Sequence, residues 1–237
     1  MKLLMASCVD ENVMEYARYT LPILRMYAKR WDADFKILDN QSYNKLGGAM
    51  WNFRTMEFYE LFEIYDRIFY MDSDIIINKT CPNIFDLVAY DTVGTVMEDK
   101  GSRLENRRRR IPLVKRTLGD NLHWEKDILN AGLYIVSRIH RNIFTKIKGK
   151  LYDGLGCDGN HYMYQIMRFG YKYIDLGYKW NHMSMFSESW NGSPSRFDSY
   201  ILHYAGHGAF SDKGNRSRSQ LIKDDIMRIY GCLEIEE

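Results

Sequence analysis

The sequence predicts a single-domain α/β fold: a mixed, mostly parallel sheet flanked by helices. Three observations predict it. Short apolar runs of strand length alternate with helix-periodic segments along the whole chain. No internal repeat and no linker rich in Pro or Ser divides the 237 residues. At 46% apolar and 14% aromatic residues, the chain can bury one sizeable core.

The elements follow in order. "KLLMASCV", 2–9, is a buried strand that ends in small residues. Asp10 stands where a helix N-cap belongs, and Val13, Met14, Ala17, Leu21, Leu24, Met26 and Ala28 recur at near-helical spacing over 11–30. Pro22 predicts a kink or a restart in that helix. "ADFKIL", 33–38, is a second strand, and Gly47 and Gly48 break the chain. "WNFRTMEFYELFEI", 51–64, predicts an amphipathic helix, with Trp51 packed in the core. Strands are expected at 67–72, 91–97, 131–137, 171–176 and 199–205, and helices at 138–149, 158–168 and 217–231. Trp180 also reads as core.

The formal charge of +2 is nearly balanced, so it names no partner. Cys8, Cys81, Cys157 and Cys232 are widely spaced without a C-x-x-C pair, which argues against a zinc ribbon or a thioredoxin-like site. Reduced thiols in a cytoplasmic protein are the expectation. The opening "MKLLMASCVDEN" turns polar too soon for a signal peptide, and no apolar run reaches a membrane span of about 18 residues.

The stretch "RIFYMDSDIIIN", 67–78, places Asp72 and Asp74 at the end of a buried strand. A buried carboxylate is costly unless it is paired or coordinates a metal. In an open α/β sheet, ligands bind outside the carboxyl ends of the strands, which is where this pair emerges. Alternation along a strand turns the two side chains to opposite faces, whereas a strand-to-turn transition lets them converge on Mg2+ or Mn2+. By itself the pair could equally cap a turn.

The neighbouring residues add to that reading. "YDRIFYMDSDIIINKTCPNIFDL" resembles the metal-binding segment of the GT-A nucleotide-sugar glycosyltransferases. It is most similar to the family of glycogenin and the bacterial lipopolysaccharide galactosyl- and glucosyltransferases, glycosyltransferase family 8. Four further motifs follow the family order between about residues 50 and 210. "FRTMEFYELF" resembles the helix whose basic residue reaches the donor, here Arg54. "LNAGLYIVS" resembles the strand start that sets Asn130 and Ala131 beside the donor sugar. "CDGNHYMYQIM" resembles the Asp-Gln helix that contacts the sugar, with Asp158 in place and Gly159 where the family has Gln. "LHYAG" resembles the H-x-x-G that supplies the third metal ligand, His203, with Gly206 near the phosphates.

The resemblance implies a GT-A, Rossmann-like fold. It implies a divalent cation, Mn2+ or Mg2+, held by Asp72, Asp74 and His203, and a UDP-sugar donor. Ala6, Ser7 and Cys8 in "ASCVDEN" match loosely the strand end that holds base and ribose. With Arg54, Ser73, Asn130, Ala131, Asp158, Gly206 and His207 they complete the expected donor set, and Asn130 and Asp158 are the expected catalytic residues. Each has a plainer reading: a buried histidine at 203, a turn residue at 130, an N-cap at 158, a surface arginine at 54, a loop residue at 207. The family's late lysine would fall at Ala209, so Lys213 or Arg216 is expected at the diphosphate. Residues 1–130 are expected to form the nucleotide and metal half, and 131–237 the sugar and acceptor half. The expected reaction is retaining hexosyl transfer. An inverting transferase, a phosphohydrolase and a non-catalytic nucleotide-sugar-binding protein stand as alternatives.

"KGSRLENRRRRIPLVKR", 100–116, holds eight basic residues and one acid. It is expected to be a loop, either solvated or facing an anionic acceptor: a glycan, a lipid-linked sugar, or DNA as in phage-like DNA glycosylation.

Overall fold

The computed structural model describes residues 1–39, 51–119, 122–208 and 210–233; the side chains of His207 and Gly208 lie outside the described residues. The expected break at Gly47 and Gly48, and Ala209, also lie outside them.

Strand β1 (Leu3–Cys8) leads through helix α1 (Met14–Arg30) to β2 (Asp34–Leu38). A short α2 (Phe58–Leu61) precedes β3 (Arg67–Met71) and β4 (Ile75–Ile77). Then come α3 (Ile84–Leu87), β5 (Thr92–Met97), α4 (Leu104–Arg108), α5 (Arg110–Leu118) and β6 (Leu129–Ser137). Helix α6 (Cys157–Phe169), β7 (Lys172–Asp175), β8 (Ile201–His203), α7 (Ala205–Gly208) and α8 (Arg218–Tyr230) complete the order.

Six strands form one sheet in the order β2-β1-β3-β6-β5-β7. The β1–β2, β1–β3 and β5–β7 pairs are parallel, and β6 runs antiparallel between β3 and β5. Reversing β6 brings its first residues to the carboxyl end of β3, where the Asp72 amide donates to the Gly132 carbonyl at 2.8 Å. Strand β8 does not join this sheet. It pairs antiparallel with β4, Ile75 opposite His203. One apolar cluster on a face of the sheet includes Phe53, Phe58, Tyr134 and Phe144; the other includes Ile23, Trp31, Phe69 and Ile226.

Several expectations needed correction. Helix α1 runs unbroken through Pro22. The lost bond there, of order 3 kcal/mol, is outweighed by a buried stripe of Ala17, Leu21, Leu24 and Ala28. Asp10 is not its N-cap: Val13 takes that place, and the Asp10 carboxylate accepts from the Asn12 amide at 2.9 Å. The expected helix at 51–64 is a 3-10 segment, Trp51–Glu57, kinked at Phe53, followed by α2. The expected helix at 138–149 is only the 3-10 segment Arg138–Phe144. Apolar spacing of three or four residues suits both helix types, so the pattern did not separate them. Trp51 is not core; it is 61% exposed, whereas Trp180 is buried. The basic run is helical, in α4 and α5, because Glu98 and Asp99 receive two of its arginines: Arg107 Nε at 2.7 Å and Arg108 Nε at 2.8 Å.

All four cysteines are unpaired. Among the described residues no helix is long and apolar enough to cross a membrane.

Candidate functional site

The carboxyl end of β3 opens on a cleft of about 320 Å3. Cys8, Trp51, Arg54, Tyr70, Asp72 and Ser73 line it from the first third of the chain. Asn130, Asp158, His203, Ala205, Gly206 and Arg218 close the other side. A second cavity of about 230 Å3 shares Asn52, Asp72, Asn130 and Asp158 with it, and is lined further by Glu98, Arg107, Arg110 and Ala131.

Asp72, Asp74 and His203 converge, each offering one ligand atom, with those atoms within 4.8 Å of one another. The turn after β3 carries Asp74 inward, and the β4–β8 pairing brings His203 to it. The Tyr204 amide donates to the Asp74 carbonyl at 3.0 Å and locks that register. His203 Nε2 lies 3.2 Å from Asp74 Oδ1 and 3.7 Å from Asp72 Oδ2. The remaining carboxylate oxygens are held from behind. Tyr70 donates to Asp72 Oδ1 at 2.7 Å, and Arg218 donates to Asp74 Oδ2 at 3.1 Å.

The orientation of His203 is set from its other nitrogen. Asn181 Nδ2 donates to Asn130 Oδ1 at 2.9 Å, so the Asn181 oxygen faces His203 Nδ1 at 2.7 Å and accepts its proton. That turns Nε2 toward the carboxylates, and in the neutral ring its lone pair is available to a cation between them. Asn130 in turn donates to Glu98 at 3.1 Å, and its Oδ1 also accepts from the Gly132 amide. Gly132 leaves the space open. A Cβ there would stand 2.5 Å from the His203 ring and 2.6 Å from Asp72 Oδ2. Two carboxylate oxygens and one neutral imidazole nitrogen around such a cradle fit a divalent cation such as Mn2+ or Mg2+.

The electrostatics are those of crowded acids. Burial, and then the Asp74 charge, raise the Asp72 carboxyl. Burial would raise Asp74 as well, but His203 and Arg218 hold it low. Burial would lower His203, yet the two carboxylates carry it above its ordinary value. Asp158, at the first turn of α6, is pushed up to about 7, mainly by burial, against a hydrogen bond from the Gly159 amide.

The expected donor residues are placed as follows. Cys8, Arg54, Ser73, Asn130, Asp158 and Gly206 line the first cleft, and Ala131 lines the second cavity. Arg54 is 2% exposed, lies 3.3 Å from Asp10 Oδ2, and its Nε has no partner among the described residues. Ala6 and Ser7 are fully buried in β1 and line neither cavity. His207 lies outside the description of side chains. Arg216 is drawn away by Asp224 at 3.0 Å, and Lys213 lines neither cavity. Gly159 packs tightly, since a Cβ would meet the Leu129 carbonyl at 3.0 Å. Arg218, Tyr16 and Glu98 were not foreseen. The spacing of charges around 210–220 gave no hint of Arg218, because the helix that carries it is placed by tertiary packing.

No family model matches the sequence, and no curated protein matches it. The fold, however, is shared with solved glycosyltransferases. The galactosyltransferase LgtC, in complex with donor and acceptor sugar analogs, superposes with a TM-score of 0.56 at 15% identity, over 96% of this chain and 95% of that one. A glycosyltransferase involved in glycosylation of the major capsid of PBCV-1 gives 0.55 at 13% identity, over 87% and 95%. The apo bifunctional glycosyltransferase WbbM gives 0.56 at 14% identity, over 86% of this chain but only 46% of its own. At such identities the likeness establishes the fold: a single-domain GT-A fold with a mixed, mostly parallel sheet.

Proposed function

We propose that this GT-A chain is a metal-dependent glycosyltransferase. It moves a hexose from a UDP-sugar to an acceptor hydroxyl with retention of configuration. The observation that carries this reading is the convergence of Asp72, Asp74 and His203 at the mouth of a cleft that also holds Arg54, Arg218, Asn130 and Asp158. LgtC, whose solved complex holds donor and acceptor sugar analogs, shares the fold and supports it.

Asp72, Asp74 and His203 hold the divalent cation, Mn2+ or Mg2+. When bound, it supplies Lewis-acid stabilisation of the departing diphosphate. The chain's own residues do the rest. Arg218 takes the place of the family's late lysine: it faces the cleft beside Asp74 and shares the charge of the diphosphate. Arg54, which lines the same cleft, offers a second cation there. Asn130 and Ala131 meet the sugar. Asp158 stands opposite, and its carboxyl gains or loses a proton near neutral pH, so it bonds sugar hydroxyls as acceptor or donor. Exposed Trp51 gives the nucleobase a flat face at the cleft rim. Residues 1–130 thus supply most of the nucleotide and metal half, and 131–237 most of the sugar half.

The test is UDP release from UDP-glucose and UDP-galactose with Mn2+, alongside calorimetric donor binding. Asp72→Asn and Asp74→Asn should each abolish manganese-dependent donor binding while the far-ultraviolet spectrum is kept. Unchanged donor affinity in both variants sinks the assignment.

A further inference from the structure

Of the two arginines that line the second cavity, Arg110 has no ion pair to a carboxylate among the described residues. Arg107 is consumed by Glu98, at 2.7 Å through Nε. Arg110, one turn further along, also lines the cavity, and its hydrogen bond is to the neutral Asn106 side chain at 3.2 Å. Its guanidinium lies over Gly156, where a Cβ would stand 2.6 Å from Nη1, at the threshold of α6 and Asp158. The three acids of this cavity have other claims on them. Asp72 belongs to the cation site, Glu98 holds Arg107 and Asn130, and Asp158 is protonated in part near neutral pH. Burial and the charges of Arg107 and Arg103 lower the Arg110 guanidinium, with Glu98 acting against them. Arginine binds planar oxyanions in a bidentate fork, and does so most strongly where water is partly excluded.

Resting on the transferase reading above, we propose that this cavity is the acceptor subsite, and that the acceptor carries an anionic group, phosphate or carboxylate, bound by Arg110 while its hydroxyl faces Asp158. A small anionic sugar fits better than duplex DNA. Arg107 and Arg108 of the basic run are tied inward to Glu98 and Asp99, and Arg110 lines a cavity of about 230 Å3 rather than an open face.

Calorimetry on the protein loaded with Mn2+ and UDP tests this with glucose 6-phosphate, glucuronate and glucose, and with a 20-base-pair duplex. The two anionic sugars separate a phosphate from a carboxylate acceptor. At least one should bind ten-fold or more tightly than glucose. Arg110→Gln should erase that difference, Arg110→Lys should keep part of it, and Arg109→Gln, on the exposed face, should keep all of it. Equal affinity for charged and neutral sugars, or an unchanged preference in Arg110→Gln, overturns the proposal. So does duplex binding that is tighter than sugar-phosphate binding and lost in Arg109→Gln. If UDP itself fails to bind, the donor reading falls instead, and the same titrations on the Mn2+-loaded protein still decide the role of Arg110.

Discussion

Asn181 Oδ1 accepts the Nδ1 proton of His203 at 2.7 Å, and this one bond decides which way the buried imidazole presents its lone pair. Asn181 is itself held by Asn130, Asn130 by Glu98, and Glu98 by Arg107. The third candidate metal ligand is therefore oriented by a chain of side chains that reaches the far cavity. Outer partners of this kind tune affinity without touching the ion.

Asn181→Leu should weaken Mn2+ binding about ten- to hundred-fold, the range seen when such outer partners are lost. Asn181→Asp keeps an acceptor for Nδ1 and should lose less. Titration calorimetry with Mn2+ alone reads both, and equal affinity in the Leu variant and the parent would show that His203 is oriented by other means.

Gly132→Ala should damage the cation site and little else. The added methyl meets His203 and Asp72 side chains, not the sheet hydrogen bonds. Mn2+ affinity is expected to fall at least ten-fold, with the melting temperature in metal-free buffer lower by no more than a few degrees. A comparable drop in the metal-free melting temperature and in metal affinity would point to general strain in β6.

Arg218→Gln should reduce affinity for UDP by about ten-fold or more, the scale of a charged hydrogen bond of about 1.5–3 kcal/mol. It also frees Asp74 Oδ2, so Mn2+ binding without nucleotide should hold or strengthen. The two titrations, run side by side, separate a diphosphate contact from a structural ion pair. Loss of both together would favour the latter.

His182 and Asp158 give stability profiles of opposite sign. Burial lowers His182 to about 4 from its ordinary 6.5. Its contribution is present above pH 6.5 and is lost as the pH falls toward 4. The melting-temperature gap between the parent and His182→Gln should therefore narrow on acidification through that window. Asp158 is raised from 3.8 to about 7, so its contribution is full below about pH 4 and lost as the pH rises through 7. Asp158→Asn should gain on the parent from pH 4 to pH 8, by a few degrees at about 2–4 °C per kcal/mol. Scanning calorimetry in chelated buffer shows both trends, and parallel pH curves for variant and parent would refute them.

Much of this was legible before any fold was seen. Strand-length apolar runs located all six strands of the main sheet to within two residues, because a buried strand leaves a short unbroken signature. Asp72, Asp74 and His203 were legible as an ordered motif, and they do converge. The misses share a cause. Arg218 and Glu98 act through partners far away in sequence, and each looks ordinary among its own neighbours. The basic run looked like a loop because its neutralising acids, Glu98 and Asp99, precede it on a strand end. Pro22 looked like a break because local propensity could not weigh the packing of α1.

The small β4–β8 ribbon has a consequence for the order in which the molecule comes together. The six-stranded sheet is complete once Asp175 has been made, whereas β8 pairs with a partner more than half the chain behind it. Closing so long a loop is slow relative to local pairing. During synthesis from the N-terminus, the sheet, with two carboxylates at its rim, has all its strands before the histidine exists. The candidate cation site is therefore completed late, when His203 is made. A nascent chain halted after β7, or one cleaved ahead of Ile201, would lack His203 and with it the third of the converging groups, so the candidate site exists only once the chain through β8 has been made.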